Sequence, residues 1–219
     1  MEQPRARIAG VFYLLTFLTG GLAVPASTLV VSGDAAATAA NIVAHQPLFL
    51  LGFAAYVMNV ACYVVVTQLF YDLFRRVNES ASLLAAFFSL VGCAIQATAC
   101  LFQLGALAVV GGPQQSLALL LLRLHAQGYN VGLVFFGFYC LLIGYLIFKS
   151  NFLPRTLGVL MACAGLGWLT FLSPPLIHAF DPYIRIPGIL GEGSLMLWLL
   201  VKGVAISIPR PAAPGRGIR

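Results

Sequence analysis

Six apolar stretches, each longer than the core segments of a soluble domain, dominate this chain. They cover residues 8–31, 48–74, 83–110, 131–148, 157–172 and 186–206. A helix needs roughly 17–25 such residues to cross about 30 Å of hydrocarbon. The pattern predicts an all-α, polytopic integral membrane protein with six transmembrane helices. The charged fraction agrees: it is 8%, against about 25% for a soluble domain. Six spans use most of the 219 residues. We therefore expect one six-helix domain over 1–206 and no separate soluble domain.

The formal net charge of +6 could suggest nucleic acid as a partner. The placement of the charges argues otherwise. Arg5 and Arg7 precede span one, and Arg75 and Arg76 follow span two. Lys149 and Arg155 lie between spans four and five, and Lys202, Arg210, Arg216 and Arg219 follow span six. Ten of the twelve basic residues thus fall on one face, leaving Arg123 and Arg185 on the other. Basic residues close to span ends mark the cytoplasmic side. Both termini are expected to be cytoplasmic, in the inner (plasma) membrane. The partners expected are membrane lipid and a small amphiphilic ligand, with no nucleic acid.

Cys62, Cys93, Cys100, Cys140 and Cys163 all lie within spans, with no CxxC or Cys/His ligand spacing. They read as small buried hydrophobes and not as a disulfide framework. Arg5 and Arg7 followed by an apolar run resemble a signal peptide. The run exceeds the usual h-region, so the first helix reads as retained. The glycosylation-like triplet Asn78-Glu79-Ser80 falls in an expected cytoplasmic loop and is set aside.

Along the chain, span one is expected to end or kink near Pro25. Ser32 or Asp34 can cap a short outer helix over 35–44. The short polar connection 77–80 makes spans two and three an antiparallel hairpin. Gly111-Gly-Pro113 stops span three. Segment 114–130 reads either as an interfacial helix or as an outer extension of span four, with Gly128 as a hinge. Pro154 sits near the start of span five, Ser173-Pro-Pro175 ends it, and Pro187 opens span six. Residues 207–219, rich in Pro, Gly and Arg, read as a disordered cytoplasmic tail. Arg7-Ile-Ala-Gly-Val11 and Arg155-Thr-Leu-Gly-Val159 open two outward-running spans alike, a common way to begin a helix at the interface and not an inverted repeat.

Several longer strings resemble a known family. They are Arg7-Ile-Ala-Gly, Gly33-Asp-Ala-Ala-Ala-Thr-Ala-Ala-Asn41 and Arg123-Leu-His-x-x-Gly-Tyr-x-x-Gly-Leu-Val-Phe-Phe-Gly137, with Leu153-Pro-Arg-x-Leu-Gly158 and Leu197-Trp-Leu-Leu-Val-Lys-Gly203. Together they are similar to the bacterial membrane family called domain of unknown function 4386, over roughly residues 5–204. The resemblance implies a compact helical membrane protein and no particular activity.

Ionisable residues within spans are costly and point to function by default. Glu192 is the main one, about 7–8 Å below Pro187 at 1.5 Å per residue. Gly191 and Gly193 beside it leave room for a backbone or ligand. Arg123 and His125 form a second cluster, with Tyr129 one turn on from His125 and Asn130 following. Asn59 is expected near mid-membrane. Gln96 and Gln103 share one face of span three and either bond to neighbouring helices or floor a cavity. His45, His178, Asp181 and Glu192 come from separate segments without HxxxH or HExxH spacing, so no metal and no cofactor is expected.

The ionisable groups away from the cytoplasmic face gather in the outer half. The expected function is binding of a lipid or small amphiphile in an outward pocket lined by Glu192, His125 and Arg123. The alternatives are a membrane-embedded enzyme with Glu192 and His125 as acid and base, or a transporter or channel subunit. The orientation has a direct test in a chain freed of its native cysteines. Cysteine at position 78 or 151 should resist impermeant thiol reagents on intact cells, and cysteine at 34 or 181 should react. The opposite pattern inverts the topology.

Overall fold

The computed structural model describes residues 2–180 and 183–204. Most of these are in helices, joined by short turns, with no strand among the described residues. The helices are α1 (Glu2–Ser27), α2 (Ala35–Ala44), α3 (Gln46–Phe74), α4 (Glu79–Val109), α5 (Gln115–Lys149), α6 (Arg155–Leu169), α7 (Pro174–Phe180) and α8 (Ile186–Val201). Short 3-10 turns, Thr170–Leu172 and Tyr183–Arg185, extend α6 and lead into α8. Six of these segments are long and apolar enough to cross a membrane, built on α1, α3, α4, α5, α6 and α8. The chain is a multi-pass membrane protein.

The ends of the helices follow from local chemistry. Pro25 occupies the last turn of α1, which stops at Ser27. Asp34, not Ser32, caps α2 by accepting from the Ala37 N–H at 2.9 Å. Gly33 before it has φ +82°, a conformation that costs a glycine little. Asn78 caps α4 through the Ala81 N–H at 3.0 Å. This makes the α3–α4 connection the tight polar hairpin expected. Gly203, at φ +67°, turns the chain after α8, where Gln3 Nε2 donates to the Val204 carbonyl at 3.2 Å.

The six spans close into a ring in chain order. α1 packs on α3, α3 on α4, α4 on α5, α5 on α6, α6 on α8, and α8 returns to α1. On α1 the large residues Ile8, Val11, Leu15, Leu18 and Leu22 face outward, while Ala6, Ala9, Tyr13, Thr16, Ala23 and Ala26 face inward. Lipid gives no hydrophobic drive between helices, so association depends on close packing of small residues. The α5–α6 seam shows this most clearly. A Cβ on Gly144 would lie 2.8 Å from the Gly158 carbonyl, and one on Gly165 would lie 2.8 Å from the Gly137 carbonyl. Each pair repeats at a seven-residue interval along its helix, so the two backbones touch over two turns.

Segment 114–130 is an unbroken part of α5, which at 35 residues is about 52 Å long. Gly128 is not a hinge. A Cβ there would come within 2.8 Å of Ala99 Cβ, so Gly128 is where α5 crosses α4. The projecting end of α5 is covered by α2. Ala39 and Ile42 join Leu29, Phe49, Ala106, Val110, Ala118 and Leu122 in a second core at the end opposite the N-terminus. Cys62, Cys93, Cys100 and Cys140 are buried, but Cys163 is exposed on α6, contrary to the expectation of five buried thiols. The 207–219 tail, Asp181 and the side chain of His178 lie outside the described residues.

The seam predicts a specific weakness. Gly144→Leu or Gly165→Leu must force the backbones apart, at an overpacking cost of about 1–3 kcal/mol or more. Gly21→Leu, where an added Cβ meets nothing within 4 Å, should be neutral by comparison. Thermal unfolding in detergent checks the ranking.

Candidate functional site

Glu192 is the centre of the site. The 3-10 turn at Tyr183 lengthens span six to Tyr183–Val201. Glu192 therefore lies nine residues from either end, about 13 Å, at mid-span rather than just below the outer interface. The residue is 7% exposed, and its carboxyl points into the ring. Tyr13 Oη and Tyr63 Oη each donate to Oε2 at 2.7 Å. Trp168 Nε1 donates to Oε1 at 2.7 Å, and Cys140 Sγ lies 3.9 Å from the same oxygen. The partners come from α1, α3, α6 and α5.

These partners were not the ones expected. The sequence expectation sets His125 and Arg123 beside Glu192. Tyr13, Tyr63 and Trp168 are not among its candidates, and Cys140 is there only as a small buried thiol. A signal was present: Tyr13 and Tyr63 lie well inside their spans, away from the interfacial belt where tyrosines gather. A buried phenol needs a polar partner, and Glu192 is the acceptor at the matching depth.

Local sequence builds the cage. At Gly188 a Cβ would collide with the Trp168 indole, and at Gly191 one would collide with the Leu160 carbonyl. Both glycines let α8 lie against α6, which presents Trp168 Nε1 to Glu192. A Cβ at Gly193 would meet Phe17 at an ordinary 3.7 Å, so of the flanking pair only Gly191 serves close approach. Leu190 and Leu197 face outward, whereas Leu195, at 0% exposure, is core. All four groups around the carboxyl are neutral donors, and a carboxylate only accepts. The indole N–H only donates, whereas the phenols and the thiol can also accept. Among the described residues Glu192 makes no ion pair; Arg75 pairs with Asp72 at 3.6 Å.

A cavity of ≈ 360 Å³ reaches the cage. Its walls include Phe17, Tyr63, Tyr129, Leu133, Phe136 and Trp168, with Thr16, Asn59, Gln96 and Arg185 as polar members. The exposed lining residues, Gly21, Val24, Arg185 and Ile189, belong to α1 and the start of α8. The opening therefore lies between these two helices. Toward the terminal end the cavity is closed by the buried side chains of Phe70, Phe74, Ile143, Ile147, Met161 and Leu199.

The remaining candidates divide. Asn59 Nδ2 donates to the Thr16 carbonyl at 2.6 Å and to Thr19 Oγ1 at 3.3 Å, which ties α3 to α1. Gln96 is buried and reaches the Tyr129 carbonyl at 3.5 Å; Gly132 leaves the space its side chain occupies. Gln103, His125 and Asn130 line a neighbouring cavity of ≈ 550 Å³, which shares Gly20, Val24, Tyr129 and Arg185 with the first. The Gln103 Oε1 atom is buried without a partner. His125 Nδ1 donates to the Ala99 carbonyl at 3.0 Å, and its ring packs edge-on against Tyr56 at 5.0 Å. His125 and Glu192 thus line different cavities. Arg123 is exposed and lines neither cavity. Arg185 stands at the shared rim with its guanidinium over the Phe171 ring, 5.8 Å from the centroid. His45 Nδ1 is turned back to the Asn41 carbonyl at 3.1 Å. No group of three His, Cys, Asp or Glu able to hold a metal occurs among the described residues.

The cage predicts an order of stabilities. Glu192→Gln can point its carbonyl at Trp168 and its amide at the two phenols, which accept as well as donate. Glu192→Leu leaves three buried donors without an acceptor, at about 1–3 kcal/mol each. Unfolding in detergent should rank wild type first, Gln next and Leu well below both.

No solved structure matches this chain. An uncharacterized protein from Archaeoglobus fulgidus is 28% identical over 158 residues, covering 66% of this chain and 78% of its own length. The similarity therefore extends to an archaeal protein. The model of the domain of unknown function (DUF4386) matches residues 8–203. With nearly every span inside that match, the chain belongs to the DUF4386 family.

Proposed function

We propose that this protein binds a lipid or small amphiphile in the cavity that ends at Glu192. The observation that carries this is the cavity's shape and lining. A blind pocket runs from a gap between α1 and α8 to a hydrogen-bonded carboxyl at mid-span. Its volume falls in the range of small-molecule sites, which are largely apolar with a few placed polar groups. The rim residues Val24 and Ile189 are 59% and 55% exposed, at a depth where a bilayer supplies hydrocarbon. A ligand with an alkyl chain can thus enter sideways, keeping its chain among apolar groups and bringing its head to the polar floor.

The charge asymmetry supports a plasma-membrane setting with cytoplasmic termini, which makes this pocket outward-facing. An acid–base enzyme built on Glu192 and His125 gains no support from the geometry, because the two side chains line separate cavities. A pore gains none either, because the pocket is closed toward the terminal end by core side chains.

Alkyl probes bearing a chain diazirine, with hydroxyl, carboxylate or ammonium heads, test this directly. Photolysis in nanodiscs should place adducts on Phe17, Val24, Phe136 and Ile189, read by peptide mass spectrometry. Gly21→Leu extends a side chain into the open part of the cavity and should cut that labelling several-fold. Adducts from every probe spread evenly over the outward stripes, and indifferent to Gly21→Leu, would remove the site.

A further inference from the structure

We propose that the head group held at Glu192 is an organic cation of the alkylammonium class. This rests on the reading of the cavity as an amphiphile site and adds the charge of the ligand. The first observation is that the carboxyl is solvated by neutral donors only. Tyr13, Tyr63, Trp168 and Cys140 bring hydrogen bonds and no positive charge. At mid-span, in low dielectric, a carboxylate without a counter-ion attracts a cation far more strongly than it would in water.

The second observation is the wall of the cavity. Phe17, Tyr63, Tyr129, Phe136 and Trp168 all line it. Aromatic faces attract cations through the ring quadrupole, most strongly where water is excluded, and cages of such rings hold quaternary ammonium groups. The rings are held in place before any ligand arrives. Tyr63 and Trp168 are anchored by their bonds to Glu192, and Phe136 packs on Tyr63 with centroids 4.4 Å apart.

The same lining argues against other charge classes. A hard metal ion requires several converging oxygen ligands, and among the described lining residues Glu192 is the only carboxylate. An anionic head would meet the carboxylate at the floor. Arg185 does not neutralise it. Arg185 lies in the 3-10 turn before α8, seven residues earlier in the chain, with its guanidinium over Phe171. Along the pocket the charge thus runs from positive at the rim to negative at the floor. A compact cation with one alkyl chain seats its head at the floor and leaves its chain in the apolar mouth.

The test uses the full chain in nanodiscs with Trp198→Phe, so that Trp168 is the remaining tryptophan. Dodecyltrimethylammonium, dodecanol and dodecanoate are titrated against Trp168 fluorescence, with empty nanodiscs to correct for partitioning. The expected result is saturable binding of the ammonium at least tenfold tighter than of the other two. Glu192→Gln should bring the ammonium to the level of dodecanol. Phe136→Leu, which removes a ring and keeps the carboxyl, should weaken it several-fold. Equal binding of all three by the chain with Glu192 intact overturns the cation assignment and leaves the amphiphile site standing. Saturable binding of none removes both.

Discussion

A single carboxyl at the centre of the membrane constrains most of this structure. Glu192 cannot face hydrocarbon without a partner, and its span offers none, so the partners must come from other helices. Tyr13 on α1, Tyr63 on α3, Cys140 on α5 and Trp168 on α6 converge on it. Five of the six spans therefore meet at one side chain. Only α4 is absent, and it is tied in through Thr67–Ser89 at 2.6 Å and through Gln96 to Tyr129. A closed ring brings these groups to one point, whereas a row of paired helices would leave some of them facing lipid.

The ring is held by contacts of a different kind. Bilayer lipid is as apolar as leucine, so large side chains gain little by facing inward. On α1 they face outward, and at the helix crossings alanines and glycines bring the backbones together. The glycine pairs of α5 and α6, with Gly188 and Gly191 on α8, decide how near the helices approach. That approach in turn decides whether Trp168 reaches Glu192. Stability and site share the same glycines. Where the packing relaxes, between Gly20–Val24 of α1 and the first turn of α8, the cavity opens.

How legible this was in the sequence depends on the range of the interaction. Span number, a cap at Ser32 or Asp34, the hairpin over 77–80 and the stop at Gly111 were legible because each depends on a few consecutive residues. The importance of Glu192 was legible because a carboxyl within an apolar run is costly wherever the chain folds. Its depth was misjudged because a 3-10 turn at Tyr183–Arg185, invisible in composition, lengthens the span. Arg123 looked like a partner for His125 because the two are neighbours in sequence. Two residues apart on a helix point about 200° apart, so one reaches a cavity and the other faces outward.

Sequence alone thus determined that the chain crosses a membrane six times and that the inside of the bundle carries a carboxyl needing satisfaction. Both follow from transfer free energies, which belong to residues and to short runs of them. Tertiary structure decided which phenols and which indole supply that satisfaction, that His125 and Glu192 occupy different cavities, and that the pocket opens between α1 and α8. Tyr13 and Glu192 are 179 positions apart. No local rule connects them, and only the closing of the ring, through backbone approach at particular glycines, brings them within hydrogen-bond distance.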